Sequence, residues 1–556
     1  MRRPNPEPEE SSSLSRRAFL GASALAGVAA VTHRDLTPVA DLAAHGAAPV
    51  RAHAVDELEE LSISDVQQGL ASGRFTSASL AEQYLGRIAG MDQQGPALRA
   101  VLETNPDALA QARALDDERR AKGPRGPLHG VPVLVKDNLA TADRMQTTAG
   151  SLALVGSKVP RDAFVVAQLR AAGAIILGKT NLSEWANWRS THSTSGWSGR
   201  GGQVRNPYAL DRSPSGSSSG TGAAVAANYC TVGIGTETDG SILAPSSAQS
   251  LVGIKPTVGL VSRAGIIPIA HSQDTAGPMA RSVRDAAIVL GAIAGADARD
   301  AMTAPAARHA QRDYTQFLRD DGLKGARIGV AREGFTGDST PTDTLFNEAI
   351  AAMKDAGAII VDPANLATTG KYGDSEFDVL QYEFKADIAA YLAELSGTSM
   401  RTRADLIAYN SRHMDREMPY FGQEIFLASE KRGPLTDDAY RKALDKNHRM
   451  ARTLGIDATM DRYRLDAIIT PTMSPPPLID LVNGDPRGGE SSTQPAAVAG
   501  YPSITVPLGY VFEVPVGISF FGRAWSEPVL LRLAYAYEQA TKVRKPPKYL
   551  ATARLD

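Results

Sequence analysis

The chain has a single cysteine, Cys230, in 556 residues. That excludes an internal disulfide framework. There is no Cys/His cluster with the spacing of a zinc site. Charge of one sign is also missing: 59 basic and 61 acidic side chains leave a formal net charge of -2. The balance gives no electrostatic reason to expect nucleic acid or an anionic membrane as partner. Internal repeats are absent, and so is any low-complexity linker after residue 55. Glycine (50) and proline (34) are modestly enriched, which suits a globular chain with many turns.

The first residues read as an address rather than as fold. Ser15-Arg16-Arg17-Ala18-Phe19-Leu20 opens a small-residue apolar stretch that ends near Val31. A polar segment, paired arginines and an apolar core in that order are similar to a twin-arginine export signal. The stretch is shorter than the roughly 20 apolar residues of a permanent membrane span. Ala30 and Ala54 both fit the small-residue rule for cleavage. Residues 1–54 are therefore expected to be a signal and disordered pro-region, and residues 55–550 a single domain. The mature chain is expected outside the cytoplasm, periplasmic or secreted, without a membrane anchor.

After residue 60 the pattern is helical. Ser64 and Gln67 fit a capping box, and Val66 and Leu70 follow on one face before Gly73. Leu80, Tyr84 and Ile88 recur at helical spacing. Asn105-Pro106 fits an N-cap followed by proline at the first helical position. From Gly130 onward short apolar strands alternate with helices. Val131–Val135 runs into Lys136, a helix is predicted over 163–172, and Ala174–Lys179 is a second strand. Further strands are predicted at 328–330, 358–361, 467–470, 504–506 and 516–521, with helices at 282–295, 342–356, 376–394 and 528–541. The order implies an α/β architecture.

Three tracts carry chemistry. Gly130-Val-Pro-Val-Leu-Val-Lys136-Asp137-Asn138 ends a strand on a lysine. Ser213-Pro-Ser-Gly-Ser217-Ser218-Ser-Gly220 is a Gly/Ser loop running into the helix former Ala223–Ala227. Its N–H groups then lie near a helix N-terminus, where negative charge is favoured. Gly235-Thr-Glu-Thr238-Asp239-Gly240-Ser241-Ile242 is a second loop, in which Gly240 lets backbone approach a ligand. Each alone is most simply a turn or a solvated strand end. Together, two serines and one lysine can supply a nucleophile, a proton relay and a base, with neither histidine nor metal needed. Gly216-Ser217-Ser218-Ser219-Gly220 is also a Gly-x-Ser-x-Gly string, with His271, His413 or His448 as a base. An α/β-hydrolase elbow needs a strand directly before it, and Arg205–Pro214 reads as loop.

With these tracts in this order, the chain resembles the amidase signature family. The spacing of Ser217 and Ser241 is that of the family's relay serine and nucleophile. Gly178-Lys-Thr-Asn181, Gly253-Ile-Lys-Pro-Thr257, Gln273–Met279 and Ala499-Gly-Tyr-Pro-Ser503 are similar to it as well. The resemblance covers about residues 60–545. It implies a single large mixed β-sheet surrounded by helices. It implies Ser241 as nucleophile and acyl-ester site, Ser217 as relay on a cis peptide, and Lys136 as base. The oxyanion would be met by backbone N–H groups of Thr238, Asp239, Gly240 and Ser241. Ser218, Asp137 and Asn138 would hold these groups in place. No metal and no cofactor are implied. Ser215, Ser219 and Asp239 stand where glycine is common in the family, and Leu243 stands where arginine is frequent.

Within the family the stretches Arg205-Asn-Pro-Tyr208, Tyr382–Ala386, Phe421-Gly-Gln-Glu424 and Ala524–Pro528 resemble enzymes that hydrolyse the C-terminal amide of peptides. The partner implied is a peptide amide or other amide, with ammonia as leaving group. The alternatives are amidases of small aliphatic or aryl amides, a non-catalytic amide-binding protein and one subunit of an amidotransferase. His129 and His192 read as structural or pocket-wall residues, and Cys230 as a small buried apolar one. Trp185, Trp188 and Trp197 fit a cleft wall and a packed core equally.

Overall fold

A computed structural model describes residues 57–486 and 491–555. The predicted signal and pro-region lies outside the described residues. Thirteen strands follow in chain order. They are β1 Val101–Thr104, β2 Pro132–Lys136, β3 Ile175–Thr180, β4 Trp197–Ser198, β5 Gly202–Gln203, β6 Val232–Glu237 and β7 Val252–Lys255. After them come β8 Thr275–Ala280, β9 Arg327–Val330, β10 Ile359–Val361, β11 Ala467–Pro471, β12 Ser503–Val511 and β13 Val514–Phe521. Eleven of them make one mixed sheet in the order β1-β3-β2-β6-β8-β7-β12-β13-β11-β9-β10, and β4 with β5 forms a small ribbon. This is the single large mixed sheet that the sequence implies.

β2 is parallel to both β3 and β6. Such strands are covered on both faces, so their sequences lack the polar–apolar alternation of a half-exposed strand. Every residue of β2, β3 and β6 is buried. Parallel register, with Val135 opposite Ile234, brings the carboxyl ends of β2 and β6 side by side. Lys136 thereby comes beside Thr236, at the end of the sheet where α/β proteins hold their ligands. Helix Ser219–Ala226 links the Ser217 loop to β6. A Cβ on its Gly220 would come within 2.3 Å of Ala100 O and 2.5 Å of Asn181 O. Only glycine lets the helix start this close to the sheet.

Helices Val283–Ile293, Thr340–Asp355 and Glu527–Thr541 pack on the sheet. Leu530, Leu531, Leu533 and Ala534 of the last are fully buried. A separate apolar cluster, including Leu182, Trp185, Phe384, Ile388 and Phe426, joins helix Gly373–Glu394 to the loops after β3. No helix among the described residues is long and apolar enough to cross a membrane.

Two predicted caps are displaced. Helix Ile63–Ser72 is capped by Ser62 and Asp65 instead of Ser64 and Gln67. Ser62 Oγ accepts from Asp65 N at 3.1 Å, and Asp65 accepts from Ser62 N at 3.0 Å. Helix Ala108–Lys122 starts after Asp107. Asn105 makes an Asx turn, accepting from Asp107 N at 2.9 Å. The apolar positions Val66, Leu70, Leu80, Tyr84 and Ile88 are buried as predicted.

Candidate active site

Lys136, at the end of β2, has no solvent exposure. Its Nζ lies 2.8 Å from Ser217 Oγ, 3.0 Å from Thr236 Oγ1 and 3.2 Å from Thr236 O. Burial pushes the amine down to about 7, against the opposing charges of Glu237 and Asp274. A neutral amine has two N–H donors and one lone pair. Thr236 O accepts only, and Thr236 Oγ1 already accepts from Asn138 Nδ2 at 2.9 Å. A neutral amine that gives its two hydrogens to Thr236 would turn its lone pair to the Ser217 hydroxyl.

The Gly216–Ser217 peptide is cis. Ser217 O accepts from Ser183 N at 3.1 Å, which ties the serine loop to the segment after β3. Ser218 N donates to Ser241 O at 3.1 Å. Ser218 Oγ accepts from Thr236 N at 3.2 Å and lies 3.1 Å from Thr236 O. Ser218 thus joins the two serine loops to β6. No hydrogen bond links the Ser217 and Ser241 hydroxyls directly among the described contacts. Their connection runs through Ser218 and through the cleft lined by both Gly216 and Ser241.

The loop from β6 to Ser241 is closed by Glu237. Its Oε2 accepts from Ile242 N at 2.8 Å and Leu243 N at 2.9 Å, at the start of helix Leu243–Ser247. Gly240 has φ +78°, and a Cβ there would meet Thr493 Oγ1 at 3.0 Å. Thr238 Oγ1 donates to Asp274 at 2.5 Å. Among the described residues, the N–H groups of Thr238, Asp239, Gly240 and Ser241 donate to no protein oxygen. The loop therefore offers unspent donors around the Ser241 hydroxyl, the arrangement that stabilises an oxyanion.

The cleft above Ser241 has a volume of about 280 Å³. Trp188, Ile269, Phe377 and Leu380 give it an apolar wall, and Asn187, Asp239 and Glu376 give it a polar one. A second cavity of about 460 Å³ shares Gly216 and Asp239 with it and is walled by Met473 and Pro475 to Pro477.

The structure brings together Lys136, Ser217, Ser218, Asn138 and the 238–241 loop. Asp137 turns elsewhere: its carboxylate takes the Thr148 hydroxyl and Gly150 N, and an Arg200 nitrogen lies 3.4 Å away. It anchors the loop after β2 and touches neither serine. Of the tryptophans, Trp188 lines the cleft. Trp185 packs edge-on against Phe426 and Trp197 against Phe421. His129 is buried on Leu115 O, and His192 lies beside Glu424 at the surface. Cys230 is buried, and its thiol is pushed up to about 12. Residues 209–218 contain no strand, so the Gly-x-Ser-x-Gly string is not a nucleophile elbow.

Sequence reading missed Thr236, Glu237, Asp274 and Glu376. The first two lie inside the quoted Gly235–Ile242 tract, where their roles follow from the ends of β2 and β6 being adjacent. Asp274 lies in the family-like stretch Gln273–Met279, but nothing in that stretch marks its contact with Thr238, and no local pattern marks Glu376.

A buried lysine, two serine loops and a set of free backbone donors over a cleft define an amide-hydrolase type of site. The chain belongs to the amidase family, whose profile matches residues 79–531. Peptide amidase from Stenotrophomonas maltophilia is similar in structure, with a TM-score of 0.84 and 49% identity over 89% of this chain and 99% of that one. A probable amidase of Arabidopsis thaliana is 43% identical over 91% of this chain and 94% of its own length. An amidase family protein from Bacillus anthracis is similar in structure too, with a TM-score of 0.80 and 38% identity over 88% of this chain and 93% of that one. The chain is an amide hydrolase of this family.

Proposed function

We propose that Ser241 is the nucleophile, Ser217 the relay and Lys136 the base of an amidase acting on the C-terminal amide of peptides. Ser241 Oγ attacks the amide carbonyl carbon. Its proton passes to Ser217, and the Ser217 proton passes to the Lys136 amine. The carbonyl oxygen becomes an oxyanion held by N–H groups of residues 238–241. Losing one such donor costs about 2.7–4 kcal/mol of barrier in comparable sites. The protonated lysine then returns a proton through Ser217 to the leaving nitrogen. The C–N bond breaks, ammonia leaves, and an ester on Ser241 remains. Water, deprotonated by the same relay, releases the acid.

The observation that carries this reading is the buried amine of Lys136 at 2.8 Å from Ser217 Oγ, with its pKa pushed down to about 7 by burial. A direct Ser241–Ser217 hydrogen bond belongs to the substrate complex, since catalytic contacts often tighten only there. Likeness to a peptide amidase over nearly the full domain supports peptide amides as substrate. The apolar wall of Trp188, Phe377 and Leu380 suits a hydrophobic acyl group. Ammonia release from peptide amides, aliphatic amides, aryl amides and glutamine tests it. Peptide amides are expected to be the best substrates. A preference for small aliphatic amides overturns the substrate and leaves the chemistry standing.

Export by a twin-arginine-type signal in residues 1–54, leaving a domain of residues 55–550, is part of the same proposal. N-terminal sequencing of the protein from its native host is expected to show a chain lacking Arg16-Arg17. A cytoplasmic protein retaining Met1 or Arg2 contradicts it.

A further inference from the structure

Two carboxyl groups in the cleft lack a use in the mechanism above. Asp239 Oδ1 is buried and has no hydrogen-bond partner among the described residues. Its side chain lies between the two cavities, lining both. Glu376, on helix Gly373–Glu394, faces the same cleft and is 6% exposed. Gln273 Nε2 donates to Glu376 Oε1 at 3.0 Å, and Gln494 Nε2 donates to Glu376 Oε2 at 2.7 Å. Both glutamines serve to fix the orientation of one carboxyl group. Each Glu376 oxygen keeps a second lone pair.

The rest of the cleft has a different character. Next to Ser241 it offers backbone donors, which suit a carbonyl oxygen. Opposite, it offers apolar side chains. A peptide amide has one more polar group close to the scissile carbonyl: the N–H on the neighbouring α-carbon. That N–H loses water on entering the cleft and needs an acceptor there. Simple aliphatic amides carry no such group.

We propose that Asp239 and Glu376 form a carboxyl pair that accepts the α N–H of the substrate's acyl group and so selects peptide amides. The proposal rests on the peptide-amide reading above. Burial raises the pKa of both groups, and the charge of Asp239 helps to push Glu376 up to about 8. A pair of close, buried carboxyls disfavours carrying two negative charges at once. It keeps acceptor capacity without holding two buried negative charges.

The test compares N-acetyl-phenylalaninamide with 2-acetoxy-3-phenylpropanamide, in which oxygen replaces the α N–H. Ammonia release gives kcat/KM for each. The wild type is expected to favour the N–H compound about tenfold or more, the usual scale for a charge-assisted hydrogen bond. Glu376→Gln and Asp239→Asn are each expected to bring the ratio towards one. Two variants on different elements guard against one failing to fold. An unchanged ratio in both folded variants overturns the proposal. So does loss of the ratio only in Asn187→Leu, which removes the other buried unpartnered acceptor of the cleft, Asn187 Oδ1. Equal wild-type rates on the two compounds sink the carboxyl pair alone. No ammonia from either compound sinks the peptide-amide reading, and this one falls with it.

Discussion

At residue scale, Lys136, as the proposed base, is expected to decide when the protein works. Only the neutral amine can take a proton, and burial holds its pKa at about 7. Activity is therefore lost as pH falls through that value. A pH profile of kcat/KM is expected to rise with an apparent pKa near 7; a limb near the ordinary lysine value contradicts a buried base. Lys136→Met is expected to lower kcat by about 10²–10⁴-fold or more, the range for losing a general base. Both oxygens of Thr236 lie within hydrogen-bond distance of the amine. Thr236→Val removes the hydroxyl that also receives Asn138 Nδ2. It leaves buried donors unpaired, and urea unfolding is expected to show a loss of about 1–3 kcal/mol.

At element scale, helix Gly373–Glu394 grips the 269–274 loop along one face. Glu376 takes Gln273, Glu383 takes Ser272 N at 2.9 Å, and Asp387 takes His271 N at 3.0 Å. The ring of His271 lies between carboxylates, with Nδ1 at 2.9 Å from Asp387 and Nε2 at 3.4 Å from Glu383. Burial works against the charged ring, but the Asp387 hydrogen bond and the charges of Glu383 and Asp387 outweigh it and raise its pKa. A raised pKa gives stability that is fully present below the unfolded value and lost as pH rises through the folded one. The stability gap between wild type and His271→Ala is therefore expected to be larger at pH 6 than at pH 9, read by thermal unfolding. A gap that widens towards pH 9 contradicts the ion pair. The ring is 40% exposed, so solvent and salt keep the effect small.

At the scale of the whole molecule, the sheet binds distant parts of the chain together. β12, from the C-terminal region, pairs with β7 at Ser503 opposite Lys255. Truncation before β12 removes both β12 and β13, the strands between β7 and β11, and uncovers the edges of β7 and β11. Such a chain is expected to be insoluble or inactive; a soluble, active product ending at residue 500 contradicts the topology. Much of this fold was legible in the sequence because its parallel strands are continuous apolar runs, as at Val131–Val135 and Ala174–Lys179. β6 and β8 were harder to read. Val-Gly-Ile-Gly-Thr-Glu and Thr-Ala-Gly-Pro-Met-Ala carry glycine and proline where strands usually have neither. Pro278 sits opposite Ile234 of β6 and beyond the β7–β8 ladder, which pairs only Val252 and Gly253 with Ala280 and Met279. The site was legible where its residues share a loop, as at Thr238–Ser241. Asp274 and Glu376 reach it only through tertiary packing, which a local pattern cannot express. Asp137 sits next to the lysine in sequence, but it lies in the turn after β2, where Thr148 and Gly150 take its carboxylate.

The covalent ester proposed on Ser241 is the point on which the rest depends. Peptide mapping by mass spectrometry, after rapid acid quench of the enzyme turning over a peptide amide or after treatment with a sulfonyl fluoride, reads it directly. The added mass is expected on the peptide containing Ser241, and it is expected to vanish in Ser241→Ala. Adduct on Ser217 with Ser241 unmodified, or full amidase activity in Ser241→Ala, would contradict the account.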